Sequence, residues 1–443
     1  MTGLKSVRRA ALAALLVGAL SAQARDAGAP SAPAPVTVLK AAHLFDAAAG
    51  KIVSPGVVVV QDGKILAVGA TAKVPDGAKI IDLGDATLSP GFIDAHVHMS
   101  GQDNGDWYKG FFDNLMEHPP ELALRATVYT KAMVEAGFTT VRDLGDSDYI
   151  SLGLRNAIKA GAVEGPRMLV ANYAIGSTGG HADQDPIRPD ILAQATPIKG
   201  VCNGPDECRA AVRYQMKYGA DVIKFMPSGG VLSLADPVDV PQLTQDEMNA
   251  IVSEAHSWHR KVAAHCHGDL AAKMAIKAGV DSIEHGTFLQ EDTLKLMKEK
   301  GVYLVPTLFA TYWVGSHLDE YPPAIAEKAR AAAAQSQKMF AMAVKAGTKV
   351  AFGTDAAVEP HGLGAKEFSL MISAGFTPVQ ALQAATVNAA DLLGVSADSG
   401  TLEAGKRADI VVLAGNPIED IHVTEHPKLV MAAGKIVRQD PVN

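Results

Sequence analysis

Across the middle of this 443-residue chain, short apolar runs alternate with helix-like segments eight times, and few architectures accept such a pattern. The runs fall at 91–98, 139–144, 168–174, 221–226, 262–267, 282–287, 302–308 and 349–354. Between them the clearest helices are predicted over 244–260, which opens with Thr244-Gln245-Asp246-Glu247, and over 324–345, rich in Ala and Lys. Strand followed by helix, repeated, is the signature of parallel βα units, and eight is the number that closes a TIM barrel. No repeat of fixed period is visible, which speaks against a solenoid or a propeller. The predicted fold class is α/β, a (β/α)8 barrel.

A barrel of about 250 residues leaves chain to spare. From 36 to 88 the texture changes to short β runs broken by Gly and Asp: Val57-Val58-Val59-Val60, the pair Asp62-Gly63, then Lys64-Ile65-Leu66-Ala67-Val68. Asp-Gly between such runs is a hairpin signal. The same texture returns in Ala408-Asp409-Ile410-Val411-Val412-Leu413 and over 428–437, so the two flanks are expected to pair into a small β-sandwich. The expected divisions are sandwich over 36–88, barrel over 89–394 and sandwich again over 395–443.

The first residues read as an export signal. Lys5, Arg8 and Arg9 precede an apolar run over 10–20, and Ala22-Gln23-Ala24 supplies small residues for cleavage. Such a run rises only about 16 Å as a helix against a hydrocarbon core of about 30 Å, which favours a signal peptide over 1–24 above a transmembrane anchor. An Ala/Pro-rich leader over 25–35 follows. The expected location is periplasmic or extracellular, with no stable membrane anchor. Cleavage after Ala24 removes three positive charges and takes the formal net charge from −8 to −11. With no basic cluster elsewhere, this speaks against nucleic acid or an anionic membrane as partner.

Export permits disulfides. Cys202 and Cys208 flank Asn203-Gly204-Pro205-Asp206-Glu207, a turn-rich loop whose ends can approach closely. A local disulfide is expected, two free thiols being the alternative. Cys266, between His265 and His267, points away from both on a strand and into packing.

Polar residues stand at the C-terminal ends of the strand runs, where barrel enzymes carry their chemistry. In Asp94-Ala95-His96-Val97-His98, residues two apart share a face, so His96 and His98 can converge on one ion. Lys224 interrupts the apolar fourth run. Either its stem snorkels to the surface, or it lies in the barrel mouth with a depressed pKa and takes up carbon dioxide as a carbamate that bridges two cations. The fifth run carries His265, the sixth His285, and Asp355 follows the eighth. Each alone is more often structural; six such residues, two sharing the first run and the others each on a different one, point to a metal site. His181, on a loop after Gly179-Gly180, is expected to donate to a substrate carbonyl or oxyanion, the alternative being a loop-structuring histidine. His361, after the eighth run, is expected to meet a substrate carboxylate. Arg142-Asp143 reads as a structural ion pair, a substrate contact being the alternative, and His43, His118, His256, His259, His422 and His426 as packing or surface residues.

These residues resemble the ligand set of the amidohydrolase superfamily: HxH on strand one, a carboxylated lysine, a histidine on each of strands five and six, and an aspartate on strand eight. Thr178-Gly179-Gly180-His181, the stretch 223–233 and Pro360-His361-Gly362-Leu363-Gly364-Ala365-Lys366-Glu367 make the chain similar to the imidazolonepropionase-like branch. That branch includes Xaa-Pro and Xaa-Arg dipeptidases and bacterial enzymes that hydrolyse the amide of ochratoxin A; related enzymes often carry a polar residue where Gly364 stands.

The resemblance implies one ion on His96, His98, Lys224 as N6-carboxylysine, and Asp355, and a second on the other carbamate oxygen, His265 and His285. Nitrogen and oxygen donors without thiolate suit two Zn²⁺ per chain, with Mn²⁺ or Co²⁺ as substitutes. The implied reaction is hydrolysis of an amide bond to a C-terminal amino acid, in a dipeptide, an N-acyl amino acid or ochratoxin A. A metal-bridging hydroxide would attack, with Asp355 as base and then acid. The alternatives are a mononuclear deaminase or cyclic-amide hydrolase of the imidazolonepropionase type, and a barrel used for binding alone. Trp107, Tyr108, Phe111 and Phe112 are expected to wall a pocket for an apolar C-terminal side chain such as Phe, Leu or Met. Relatives of this kind also imply a homo-oligomer.

Overall fold

The computed structural model describes residues 35–441, apart from 184–186, 189, 191–193 and 235. The expected signal peptide, and the leader up to residue 34, lie outside the described residues.

Seven strands come first: β1 (Thr37–Ala41), β2 (His43–Asp46), β3 (Lys51–Val53), β4 (Gly56–Gln61), β5 (Lys64–Val68), β6 (Lys79–Asp82) and β7 (Ala86–Pro90). Asp62 and Gly63 both have positive φ, 49° and 74°, the primed turn whose twist matches a hairpin, and Gln61 pairs with Lys64 across it. The next seven are β8 (Phe92–Val97), β9 (Phe138–Asp143), β10 (Arg167–Val170), β11 (Val222–Phe225), β12 (Lys261–Cys266), β13 (Ser282–His285) and β14 (Tyr303–Val305). The chain ends in β15 (Ile410–Ala414), β16 (Leu429–Ala432) and β17 (Lys435–Gln439).

The flanks form two sheets. One, in the order β5-β4-β1-β6, comes from the N-terminal flank; the other, β17-β16-β15-β7-β2-β3, joins both flanks through β15 antiparallel to β7. Leu39, Val58 and Ile65 of the first share an apolar cluster with Leu88, Ile410 and Leu429 of the second.

The barrel strands are parallel, in sheets β10-β9-β8 and β11-β12-β13-β14. They do not make the continuous eight-stranded ladder that the alternation predicts. The third run stops at Val170, and Asn172 soon after takes a left-handed φ of 61°; one isolated bridge, Ile175 to Phe225, then links the two sheets. The eighth run is extended chain rather than a regular strand. Single bridges tie it at Val350 to Leu304 and at Ala356 to Val97, and Ala95 N–H donates to the Phe352 carbonyl at 2.9 Å. Beyond it, positive φ at Asp355 (69°) and Ala357 (127°) takes the backbone out of ladder geometry. Gly353 permits the close approach, since a Cβ there would lie 2.3 Å from Val305 Cγ1.

Helices pack between the strands: α1 (Trp107–Met116), α2 (Pro119–Glu135), α3 (Ile150–Lys159), α4 (Pro205–Lys217), α5 (Gln245–Ser257), α6 (Asp269–Ala278), α7 (Glu291–Lys300), α8 (Leu308–Ser316) and α9 (Pro323–Ala346). α5 starts where its sequence says, with Thr244 and Glu247 capping each other's backbone N–H groups. At the starts of β8 and β9, Phe92 and Phe138 pack with Phe352 and Phe368, ring centroids 4.5 to 6.0 Å apart. That apolar plug leaves the opposite strand ends for polar residues.

Cys202 and Cys208 form a disulfide, and Cys266 is a buried thiol, as the spacing predicts. Closing so short a loop is worth about 2 kcal/mol in chain entropy. Cys208→Ser should therefore lower stability in chemical denaturation by about that amount. Intact mass after alkylation of the unfolded chain should show one modified thiol before reduction and three after.

Candidate metal centre

Four histidines, a lysine and an aspartate converge at the C-terminal ends of β8, β11, β12, β13 and the eighth run. Each of the four rings has its outer nitrogen engaged. His96 Nδ1 bonds Glu284 Oε2 (3.0 Å), and His98 Nδ1 donates to the Gly145 carbonyl (2.7 Å). His265 Nε2 faces the Gly229 carbonyl (3.3 Å), and His285 Nδ1 faces Thr307 Oγ1 (2.7 Å). With the proton on the outer nitrogen, the inner one offers a lone pair to the centre.

Those inner atoms crowd together. His96 Nε2 and His98 Nε2 each lie 3.2 Å from Asp355 Oδ1, and His96 Nε2 lies 3.2 Å from Lys224 Nζ. His265 Nδ1 and His285 Nε2 are 2.9 Å apart. Ligands bound at about 2.0–2.2 Å to a shared Zn²⁺ stand about this far from one another, so the donor set fits divalent cations. Ligand-sized groups formed by His96, His285 and Asp355, and by His265, His267 and His285, reflect the same convergence.

Burial sets the charge states. It drives His96, His265 and His285 well below the usual histidine range, which keeps them neutral and able to ligate. Lys224 is buried, and desolvation pulls its ammonium down to about 8. Burial alone would raise Asp355, but its neighbours His96, His98 and the Lys224 ammonium outweigh burial and hold it below its ordinary value. Asp355, His285 and Thr307 all sit at positive φ, 69°, 66° and 48°, so the backbone carries strain where the side chains meet.

A cavity of about 240 Å³ opens over this cluster. His181 lines it beside the ligand residues, and its apolar wall comes from Met226, Val231 and Leu232 after β11, Val314 on α8, Ala332 on α9, and Val358. The aromatic wall expected from α1 is absent from this lining: Tyr108 and Phe112 are exposed, and Trp107 and Phe111 stack on each other. Trp107 packs behind the wall, against the cluster that holds Val231 and Val314.

His361 is buried and is not among the described residues that line the cavity. Its Nδ1 meets Gln102 Oε1 (3.0 Å), its Nε2 faces the His98 carbonyl (3.3 Å), and its ring stacks on Tyr129 at 4.7 Å. Arg142 and Asp143 are both buried but do not pair with each other. Arg142 bonds Glu284 Oε1 (2.9 Å), while Asp143 accepts from Met99 N–H (2.7 Å) and Ser151 Oγ (2.8 Å), because neighbours in a strand face opposite ways.

Two groups escaped the sequence reading. Glu284, adjacent to His285, holds both His96 and Arg142; nothing local marks it. His267 did leave a signal, since the two-residue spacing that pairs His96 with His98 also sets it beside His265, and its ring stacks on His285 at 4.8 Å.

The amidohydrolase family model matches residues 87–437. Ochratoxinase of Aspergillus niger is 33% identical over 417 residues, 90% of this chain and 85% of that one. Its crystal structure superposes with a TM-score of 0.81, covering 92% of this chain and 96% of that one at 31% identity. A Xaa-Pro dipeptidase crystallised with methionine in its active site gives a TM-score of 0.85 and 38% identity, covering 90% of this chain and 99% of that one. Imidazolonepropionase of Deinococcus radiodurans is more distant, 24% identical over 409 residues, 84% of this chain and 89% of that one.

Two outcomes test the centre. Glu284→Gln keeps the shape but weakens the grip on His96, and should lower affinity for a divalent cation by about 10–100-fold, read as metal retained after dialysis against a chelator. The second concerns Glu359, buried with neither carboxylate oxygen bonded to a described residue. Burial, reinforced by Asp355, Asp94 and Glu367, raises its pKa well above the usual range. The unfolded chain then loses this proton at a pH where the folded one keeps it, so the group's stability contribution falls as pH rises past the unfolded value. Glu359→Gln should match the wild type in unfolding midpoint near pH 4 and exceed it by several degrees near pH 8.

Proposed function

This chain belongs to the amidohydrolase family, and on that footing we propose that it is a metal-dependent hydrolase cutting the amide bond to a C-terminal amino acid with an apolar side chain. One observation carries the reading: the inward nitrogens of four histidines, from three strands, close on Lys224 and Asp355 under an apolar-walled cavity.

Two divalent cations per chain are proposed, Zn²⁺ first, with Mn²⁺ or Co²⁺ as substitutes. His96, His98, Lys224 and Asp355 would hold one, and Lys224, His265 and His285 the other. Lys224 serves both as N6-carboxylysine: its neutral amine nitrogen bonds the carbon of carbon dioxide and releases a proton, leaving two carbamate oxygens. Such a pair of cations, when bound, polarises a carbonyl and makes water acidic enough to attack at neutral pH. Asp355 takes the proton of the attacking water and delivers it to the departing nitrogen, work that its ionised carboxylate is suited to begin. The outer hydrogen bonds of the histidines keep the ligand nitrogens aimed without further adjustment.

The cavity wall selects the substrate. Met226, Val231, Leu232 and Val314 offer apolar surface, and among the described residues of the lining only Asp355 is acidic. A C-terminal Phe, Leu or Met fits this wall. The methionine held by the dipeptidase relative and the amide hydrolysed by ochratoxinase support the same class. The setting proposed is outside the cytoplasm, on the strength of the basic and apolar residues before position 24, and the working form is proposed as a homo-oligomer.

A panel of dipeptides, N-acyl amino acids and ochratoxin A tests the reaction. Turnover should favour apolar C-terminal residues; preference for Arg or Lys would overturn the assignment of the wall. Elemental analysis should give two ions per chain, reduced in Lys224→Ala, whereas one stable ion would point to the mononuclear deaminase chemistry instead. Asp355→Asn should lower kcat by about 10²–10⁴-fold.

A further inference from the structure

The cavity over the metal centre has a corner made by two helices. Thr307, Ala310, Thr311 and Val314 line it at three- and four-residue spacing, so one face of α8, from its cap residue onward, is turned to the cavity. The next helix, α9, contributes Ala332. The two helices approach closely there, since a Cβ at Gly315 would lie 2.5 Å from Ala333 Cβ. Val231, Val314, Ile325, Ala329 and Ala332 form one apolar cluster, so the segment after β11 packs into the same corner. One turn before Ala332, Lys328 holds that segment by donating to the carbonyls of Gly230 (2.7 Å), Ser233 (2.6 Å) and Asp236 (3.1 Å).

Space in this corner follows from small side chains. Ala310 and Ala332 are the smallest in the described lining. A helix accepts Leu almost as readily as Ala, so helix propensity does not by itself call for Ala at 332. The cavity, at about 240 Å³, is smaller than the roughly 300–1,000 Å³ of pockets that enclose drug-sized ligands. It therefore has room for one half of an acyl amino acid rather than both.

We propose that the α8–α9 corner receives the side chain of the substrate's C-terminal residue and that Ala332 sets its depth, leaving room for a side chain the size of Phe. Lys328 is a positioning residue: it touches no substrate and keeps Val231 and Leu232 in the wall. The acyl half stays at the cavity mouth, where little selects it. The inference rests on the amide-hydrolase reading of the same site. It narrows the substrate class to amides of large apolar or aromatic amino acids, with the acyl group free to vary.

Steady-state kinetics of the metal-loaded enzyme on N-acetyl-phenylalanine and N-acetyl-alanine test it. The wild type should favour phenylalanine. Ala332→Leu should lower the phenylalanine-to-alanine ratio of kcat/KM by about 100-fold, and Ala332→Val by about tenfold. If the leucine variant does not fold, the valine variant carries the test. Unchanged ratios, in variants with native metal content and unfolding midpoint, overturn the proposal. Lys328→Met should raise KM for N-acetyl-phenylalanine about tenfold more than KM for N-acetyl-alanine, whereas a fall in kcat alone rules out its positioning role. Exchanging acetyl for formyl or benzoyl should not alter the effect of Ala332→Leu; a variant that sorts acyl groups instead of amino acids places the acyl half in the corner and overturns the proposal. If the wild type cleaves none of these compounds, the amide-hydrolase reading fails, and calorimetry with free L-phenylalanine and L-alanine reads the corner directly. A preference for phenylalanine that Ala332→Leu abolishes upholds the corner; equal binding by both proteins, or none, overturns it.

Discussion

Glu284 carries a carboxylate into the wholly buried interior, where an unpartnered charge could not persist. It is accommodated because Arg142 and His96, from two other strands, both bond to it. Arg142 in turn reaches the Ala95 carbonyl (2.6 Å) and Ser282 Oγ (3.2 Å), so one buried pair binds β8, β9 and β13 together. Removing one partner of such a pair costs about 3–5 kcal/mol, against about 0–1 kcal/mol for an exposed pair. The same carboxylate chooses which nitrogen of His96 faces the centre, and so joins the stability of the barrel to its chemistry.

A similar economy runs through the rest of the site. The discontinuous ladder matters less than it first suggests, because the regions where regular pairing fails, after Val170 and along the eighth run, deliver His181 and Asp355 to the mouth. Regular strands hold the histidines of β8, β12 and β13 at fixed depth; irregular backbone, at positive φ where needed, brings the remaining groups over them. The apolar plug of Phe92, Phe138, Phe352 and Phe368 secures the other end, so the polar end tolerates strain.

Much of this was legible in the chain. Period-two spacing set His96 and His98 on one face, the Asp62-Gly63 pair announced its hairpin, Thr244 and Glu247 announced α5, and the strand-end rule gathered Lys224, His265, His285 and Asp355. What failed did so for definite reasons. Proximity in sequence to β8 suggested that the aromatics of α1 would face the cavity, but a helix distributes neighbours around its axis, and the wall came from α8, α9 and the segment after β11. Arg142 and Asp143 looked like a pair because they are adjacent, yet adjacency on a strand separates side chains.

The sequence by itself determined which residues could do chemistry and at which strand ends they stand, because both follow from local periodicity and from the direction of βα units. Only the tertiary structure decided what each of them does. The bond that orients His96 spans 188 positions to Glu284, and the one that orients His181 spans 52 to Ser233. Ring tautomers, burial and pKa shifts are set by such distant partners, and no local pattern records which carboxylate or hydroxyl will arrive beside a given imidazole once the barrel has wrapped.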